Sequence, residues 1–214
     1  MKVLLINGSP HAGGCIYTAL SEFAGQLQKY GVETEIFQIG KEPVRGCIDC
    51  KGCWGKGRCV FDDKVNVCID KIIEADGLVV GSPVYFSGIT GSLKCLLDRV
   101  FYDAKRLFSY KPAAAVVSCR RGGAGAAFEQ INKYFTISSM PVVSSQYWNS
   151  VHGDTPEEVK ADLEGMQTLR MAADNMAWLL QSIAAAKEAG VKLPEKEKRV
   201  KTNFYKPELP QVTE

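Results

Sequence analysis

Short apolar runs rich in β-branched residues alternate along the chain with longer amphipathic stretches. Residues 3–7 form a near-continuous apolar run, the pattern of a strand buried on both faces. Residues 17–29 place Leu20, Phe23, Ala24 and Leu27 at helical spacing, and Gly31 follows where a helix-ending glycine belongs. Residues 32–39 alternate as a strand does. A second helix is expected over 63–75, opened by Asp62 and Asp63. A third strand follows over 77–81, then a third helix over 92–104 with Leu93, Leu96, Leu97 and Val100 on one face. A fourth strand over 113–118, a fourth helix over 125–136 and a fifth strand opening at 141–145 continue the alternation. Thr155-Pro156-Glu157-Glu158 begins a last helix, expected to run to Lys187.

Strand and helix in strict alternation mean parallel strands joined by right-handed crossovers, a doubly wound α/β sheet with helices on both faces. Residues 1–190 fit one domain. From 191 the composition changes, with Pro194, Pro207, Pro210 and the run Glu195-Lys196-Glu197-Lys198-Arg199, and 191–214 is expected to be an extended tail. The 46% hydrophobic and 23% charged composition is that of a globular protein, which excludes dominant disorder. A net charge of +2 predicts no bulk affinity for nucleic acid or an anionic membrane. No apolar run reaches the ~18–20 residues of a membrane span. The apolar stretch at 3–6 is too short for a signal peptide, so the expected compartment is the cytoplasm. Eight cysteines in a reducing compartment point to metal ligation, redox chemistry or burial, not to disulfides.

Ligands of such sheets lie beyond the carboxyl ends of the strands. The loop after the first strand, Gly8-Ser9-Pro10-His11-Ala12-Gly13-Gly14-Cys15-Ile16-Tyr17-Thr18, leads into a helix N-terminus. Free N–H groups and the helix dipole make that an anion site. The Walker lysine and the G-x-G-x-x-G spacing are both missing, so a phosphate monoester fits better than a triphosphate or a dinucleotide. The loop after the third strand, Gly81-Ser82-Pro83-Val84-Tyr85-Phe86-Ser87-Gly88, combines small residues with two aromatics and suits a flat ring such as an isoalloxazine. The loop after the fourth strand, Ser118-Cys119-Arg120-Arg121-Gly122-Gly123, suits the lip of a polar or anionic ligand.

Cys47, Cys50, Cys53 and Cys59 follow the pattern C-x2-C-x2-C-x5-C. Four thiolates so spaced can wrap one 4Fe–4S cube, and zinc is the other four-thiolate ligand. Buried thiols or a redox dithiol are the readings without metal. Cys15, Cys68, Cys95 and Cys119 fall in or beside core elements and read as small hydrophobes, with Cys15 set apart by its loop. His152 lies in an aromatic-rich turn that suits a flavin cap, and a lone histidine is more often structural. Met166, Leu169, Ala172, Ala173, Met176, Leu179, Leu180 and Ile183 form a stripe that faces the core or a second copy.

Gly8-Ser9-Pro10 with its glycine-rich turn, then Gly81-Ser82-Pro83-Val84-Tyr85 running into Gly91-Ser92-Leu93-Lys94, resembles the NADPH-dependent FMN reductase family of flavodoxin-like proteins over about residues 1–190. The cysteine spacing resembles its iron–sulfur flavoprotein branch. The resemblance implies five parallel strands in the order 2-1-3-4-5, bound FMN, and a homodimer or homotetramer. The family's phosphate turn maps onto Ser9, His11, Gly14, Cys15, Ile16 and Tyr17, and its ring loop onto Pro83, Val84, Tyr85, Phe86 and Gly88. Ser118, Arg120, Gly122 and Gly123 of the third loop complete the expected FMN site, and Cys47, Cys50, Cys53 and Cys59 are the expected cluster ligands. The phosphate turn departs from the family at His11 and Cys15-Ile16, which leaves more of the phosphate to backbone N–H groups.

The expected activity is an FMN-dependent oxidoreductase. NAD(P)H or a reduced ferredoxin-like carrier would donate electrons, and a quinone, flavin, aromatic compound or the 4Fe–4S cluster would accept them. Hydride transfer to flavin N5 needs no acid–base residue, so no catalytic side chain is expected. Two alternatives stand beside it: a non-enzymatic electron-transfer iron–sulfur flavoprotein, and a flavin-free flavodoxin-like binding module.

Overall fold

The computed structural model describes residues 1–197 together with Val200 and Thr202. The chain separates into two units, Met1–Gln181 and Ser182–Glu214. The first carries the sheet: β1 (Lys2–Asn7), α1 (Cys15–Gln28), β2 (Glu33–Gln38), α2 (Lys64–Glu74), β3 (Gly77–Pro83), α3 (Gly91–Asp103), β4 (Ala113–Cys119), α4 (Ala124–Thr136), β5 (Ser150–His152) and α5 (Pro156–Ala161), with a 3-10 turn at Ala104–Leu107. The last helix, α6 (Leu163–Glu188), runs into the second unit. Residues 191–197 form neither helix nor strand, and the rest of the expected tail, Val200 and Thr202 apart, lies outside the described residues.

The five strands are parallel and ordered β2-β1-β3-β4-β5, the flavodoxin-like arrangement. Alternate strand residues feed two cores. Leu4, Ile6, Leu78, Val80, Ala115 and Val117 pack under α2, α3 and α4, while Val3, Leu5, Val79, Ala114 and Val116 pack under α1, α5 and α6. Fully buried aromatics such as Phe23 and Phe135 anchor the two layers, each contributing about 1.5–3 kcal/mol by burial. Gly31, at φ +72°, ends α1, with Val32 N–H donating back to Leu27 O at 3.4 Å.

Two expectations are corrected. The segment at 141–145 makes one bridge, Val142 to Ala113, and then leaves the sheet. The Asn149 side-chain amide donates to Ala115 O at 3.1 Å, where a strand backbone would otherwise bond, and pairing resumes only at Ser150. His152, expected in a turn, therefore lies on β5. The expected helix from Thr155 to Lys187 is broken at Asp162. The Asp162 carboxylate accepts from Gly165 N–H at 2.9 Å and from His152 N–H at 2.7 Å, which starts a new helix and ties it to the edge strand.

Candidate functional site

The three loops meet at the carboxyl edge. Gly8 N–H donates to Gly81 O at 2.8 Å, and a Cβ on Gly8 would lie 2.7 Å from that oxygen and 2.5 Å from Leu93, so only glycine fits. Thr90 caps α3 by accepting from Leu93 N–H, and its hydroxyl donates to Gly8 O at 2.8 Å. Val84 N–H donates to Ser118 O at 2.9 Å, which joins the second loop to the third. Gly123, at φ +88°, comes so near Ser87 and Val84 that a Cβ would lie 2.9 Å from Ser87 Cα.

The first loop is built by a polar relay. Asn7 Oδ1 accepts from Ser9 N–H, Ser9 Oγ accepts from His11 N–H, and Gln38 Nε2 donates to Ser9 O. Asn7 and Gln38 are register partners on β1 and β2, bonded at 2.5 Å. The turn thus delivers the chain to α1, whose N-cap Gly14 is extended and supplies no side-chain cap. In contrast, α2, α3 and α5 are capped by Asp63, Thr90 and Thr155. The first-turn N–H groups of Cys15, Ile16 and Tyr17 therefore keep their donors for an anion. Ile16 is buried beside Gly81, so its part in such a site is its backbone. Burial pushes the Cys15 thiol up, and its sulfur points to Gly153 O at 3.8 Å. A cleft of about 430 Å³ opens on this turn, lined by Pro10, His11, Ala12, Gly13, Gly14, Lys41 and Pro156.

Lys41 escaped the sequence reading. Its signal is topological: β2 lies next to β1, so the residue just past its end reaches the first loop. Gln130 was also missed. Its Oε1 accepts from Ile89 N–H at 3.1 Å and steadies the ring loop from α4.

In the ring loop, Tyr85 and Gly88 exchange both backbone hydrogen bonds around Phe86 and Ser87. Both central residues are left-handed, at φ +49° and +59°. That is a two-residue hairpin turn with a bulky residue where glycine or asparagine is the norm. It holds Phe86 fully in solvent and Tyr85 half out. In the third loop Ser118 is buried, while Arg120 and Arg121 are exposed beside the uncapped start of α4. The structure thus brings together Ser9, His11, Gly14, Cys15, Ile16 and Tyr17 in one turn. Pro83, Val84, Tyr85, Phe86, Gly88, Ser118, Arg120, Gly122 and Gly123 follow in two interlocked loops.

The four clustered cysteines lie elsewhere. Cys47, Cys50, Cys53 and Cys59 line one cavity with Phe61, Arg99 and Tyr102. Burial first, then Asp103, pushes the Cys53 thiol up. As the loop stands the cavity holds about 20 Å³, and among the described residues no three His, Cys, Asp or Glu side chains close on a single metal point. The loop is pinned by Gly57 N–H to Asp103 at 2.7 Å and by Asn66, which holds the backbone of Cys59 from both sides. Cys68 and Cys119 are buried, as small hydrophobes are; burial pushes Cys68 to about 12.

A flavodoxin-like sheet with an uncapped, glycine-lined anion turn and a neighbouring ring loop defines a class of flavin-phosphate-binding proteins. The chain belongs to the NADPH-dependent FMN reductase family, whose model matches residues 1–155. It is 32% identical over 193 residues to an iron-sulfur flavoprotein of Methanocaldococcus jannaschii, covering 86% of this chain and 99% of that one. It is 29% identical to the iron-sulfur flavoprotein of Methanosarcina thermophila, covering 86% and 97%. Among solved structures it is similar to RosB with bound 8-demethyl-8-formylriboflavin-5'-phosphate, at TM-score 0.69 and 16% identity over 99% of this chain and 94% of that one. Among the described residues no helix is long and apolar enough to cross a membrane.

Proposed function

We propose that the chain is an FMN-dependent oxidoreductase of the iron–sulfur flavoprotein kind. The observation that carries this is the uncapped N-terminus of α1, fed by the Asn7–Ser9–His11 relay and flanked by Lys41. Backbone N–H groups of Cys15, Ile16 and Tyr17 would take the phosphate, with Ser9 Oγ and Lys41 adding a hydroxyl and a charge. Pro83, Val84, Tyr85, Phe86 and Gly88 would hold the isoalloxazine, with Ser118, Arg120, Gly122 and Gly123 of the adjoining loop at its margin. FMN held there would supply redox chemistry between NAD(P)H or a reduced ferredoxin-like carrier and a small acceptor. These residues would bind the phosphate and orient the ring, and the reading asks none of them to move a proton.

Cys47, Cys50, Cys53 and Cys59 fit a 4Fe–4S group by donor set, and all four line the same cavity, which the loop would have to open to admit it. Gly52, Gly55 and Gly57 lie among them, and the positive φ of the last two gives the loop freedom to wrap. That group supplies one-electron transfer. The cavity lies against Arg99 and Tyr102, late in α3, whereas the FMN loops lie at its start. From Gly91 to Tyr102 the helix rises about 17 Å. The homodimer or homotetramer that the family resemblance implies would let the FMN of one chain meet the cluster of another.

Anaerobic purification tests the reading. The protein should show flavin bands near ~370 and ~450 nm and a cluster shoulder near ~410 nm. Cys50→Ala should lose iron and keep FMN. Equal iron in the two proteins would remove the cluster, and a colourless chain that fails to take up FMN would favour the flavin-free module. Oxidation of NADPH under air separates an enzyme from an electron carrier.

A further inference from the structure

Arg99 lies deep in α3 with its side chain 1% exposed, inside the wrap of the cysteine loop. A guanidinium has five N–H donors, and here every one is used. Nε donates to Cys59 Sγ at 3.3 Å, and one terminal nitrogen donates to the same sulfur at 3.2 Å and to Asp63 Oδ1 at 3.0 Å. The other terminal nitrogen donates to Asp63 Oδ2 at 2.7 Å and to Arg45 O at 3.2 Å. The fork therefore grips a sulfur with one edge and a carboxylate with the other. A neutral thiol is a weak acceptor and poor compensation for two donors of a buried cation. Two N–H groups converging on one sulfur hold that sulfur in a fixed place. Asn66 holds the Cys59 backbone at the same time, donating to its carbonyl at 3.0 Å and accepting from its N–H at 2.9 Å. Cys59 is thus fixed at both main chain and sulfur, while Cys47 and Cys50 are exposed.

We propose that Arg99 is a positioning residue for the cysteine site: it holds Cys59 Sγ as a ligand and, by withdrawing electron density from it, raises the reduction potential of the iron–sulfur group the four cysteines bind. The inference rests on the cluster reading above. Hydrogen bonds to the ligating sulfurs are among the levers that set a cluster's potential, and outer partners orient the ligands. Asp63 is the counterweight. It neutralises the guanidinium and keeps the fork aimed, while its Oδ1 also caps α2 through Val65 N–H at 3.1 Å.

The test uses the full chain, purified anaerobically with FMN and iron, and a redox titration of the cluster followed by its paramagnetic resonance signal. Arg99→Lys keeps the charge but replaces the planar fork with a point donor that cannot serve Cys59 and Asp63 together. At unchanged FMN content it should shift the cluster equilibrium about tenfold toward the oxidised form, or about 59 mV lower for a one-electron couple. Selective loss of iron with FMN retained would support the positioning role equally. Asp63→Asn keeps the helix cap and uncovers the cation, so it should shift the equilibrium the opposite way. Wild-type potential and iron content in both variants would overturn the inference alone. Wild-type protein that takes up FMN but neither iron nor sulfide would overturn the cluster reading, and the role of Arg99 with it. If Arg99→Lys fails to fold, as judged by absent FMN, the sign of the Asp63→Asn shift decides.

Discussion

At the scale of single residues, charge near the phosphate turn and charge on β2 make separable predictions. Lys41 is the cation that lines the cleft on the Pro10–Gly14 turn. A charge-assisted bond to phosphate from an exposed lysine is worth on the order of 1–1.5 kcal/mol, so Lys41→Ala should weaken FMN binding about tenfold. Quenching of FMN fluorescence on titration measures this, and unchanged affinity would place the phosphate elsewhere. Glu35 joins β2 to its neighbours through Lys2, at 2.8 Å, and Lys71. The bond to Lys2, and then that to Lys71, holds its carboxyl below the ordinary value. A carboxyl depressed on folding adds stability above its unfolded pKa of about 4.3, and that stability is lost as pH falls through the folded value. Glu35→Gln should therefore cost less than about 1 kcal/mol at neutral pH, because the pair is partly solvated, and its stability should fall less steeply in acid. Urea midpoints measured between about pH 6 and pH 3 would sink this if the two proteins ran parallel throughout.

At the scale of elements, Thr90 shows how one side chain serves both stability and site. It caps α3, donates to Gly8 O, and its N–H donates to Ser82 Oγ at 3.1 Å. Thr90→Ala removes the cap and the tie between the first two loops. It should cost about 1–2 kcal/mol and lower FMN affinity, whereas Thr90→Ser should restore both, as thermal melts and flavin titration would show. The same scale separates what was legible in the sequence from what was not. Strands β1 to β4 and helices α1 to α4 were legible because each buries a periodic face in one of two cores. Strand β5 was not, because its gap is filled by the side chain of Asn149 rather than by backbone, and no local pattern announces that. The break before α6 was hidden because Asp162 sits in a helix-favouring run and acts through His152, a partner on another element. The turn after β1 was legible as a turn from its glycines. Lys41, Gln130 and Arg99 belong to elements distant in sequence, and only the strand order and the helix faces bring them to their sites.

At the scale of the whole molecule, the disposition of the two sites along α3 makes a prediction that no single-chain measurement can make. The loops proposed to hold FMN meet at Thr90 and Gly91, and the cysteine cavity lies against Arg99 and Tyr102. If electrons pass between FMN and cluster, the proposed oligomer offers a route between partners on different chains. Two variants separate the cases. Ser9→Asp puts a negative charge in the phosphate turn and should abolish FMN binding while keeping iron. Cys50→Ala should do the reverse. No chain in a mixture of the two holds both cofactors, so transfer within a chain is impossible. An oligomer reassembled from the mixture would still place the FMN of one chain beside the cluster of another. Reduced cluster mixed in this way should bleach the flavin band near ~450 nm, at a rate that falls on dilution as the oligomer dissociates. Each variant alone should show no such transfer. A mixed oligomer, verified by light scattering, in which the flavin stays oxidised would mean that the two sites communicate only along their own chain, across the length of α3.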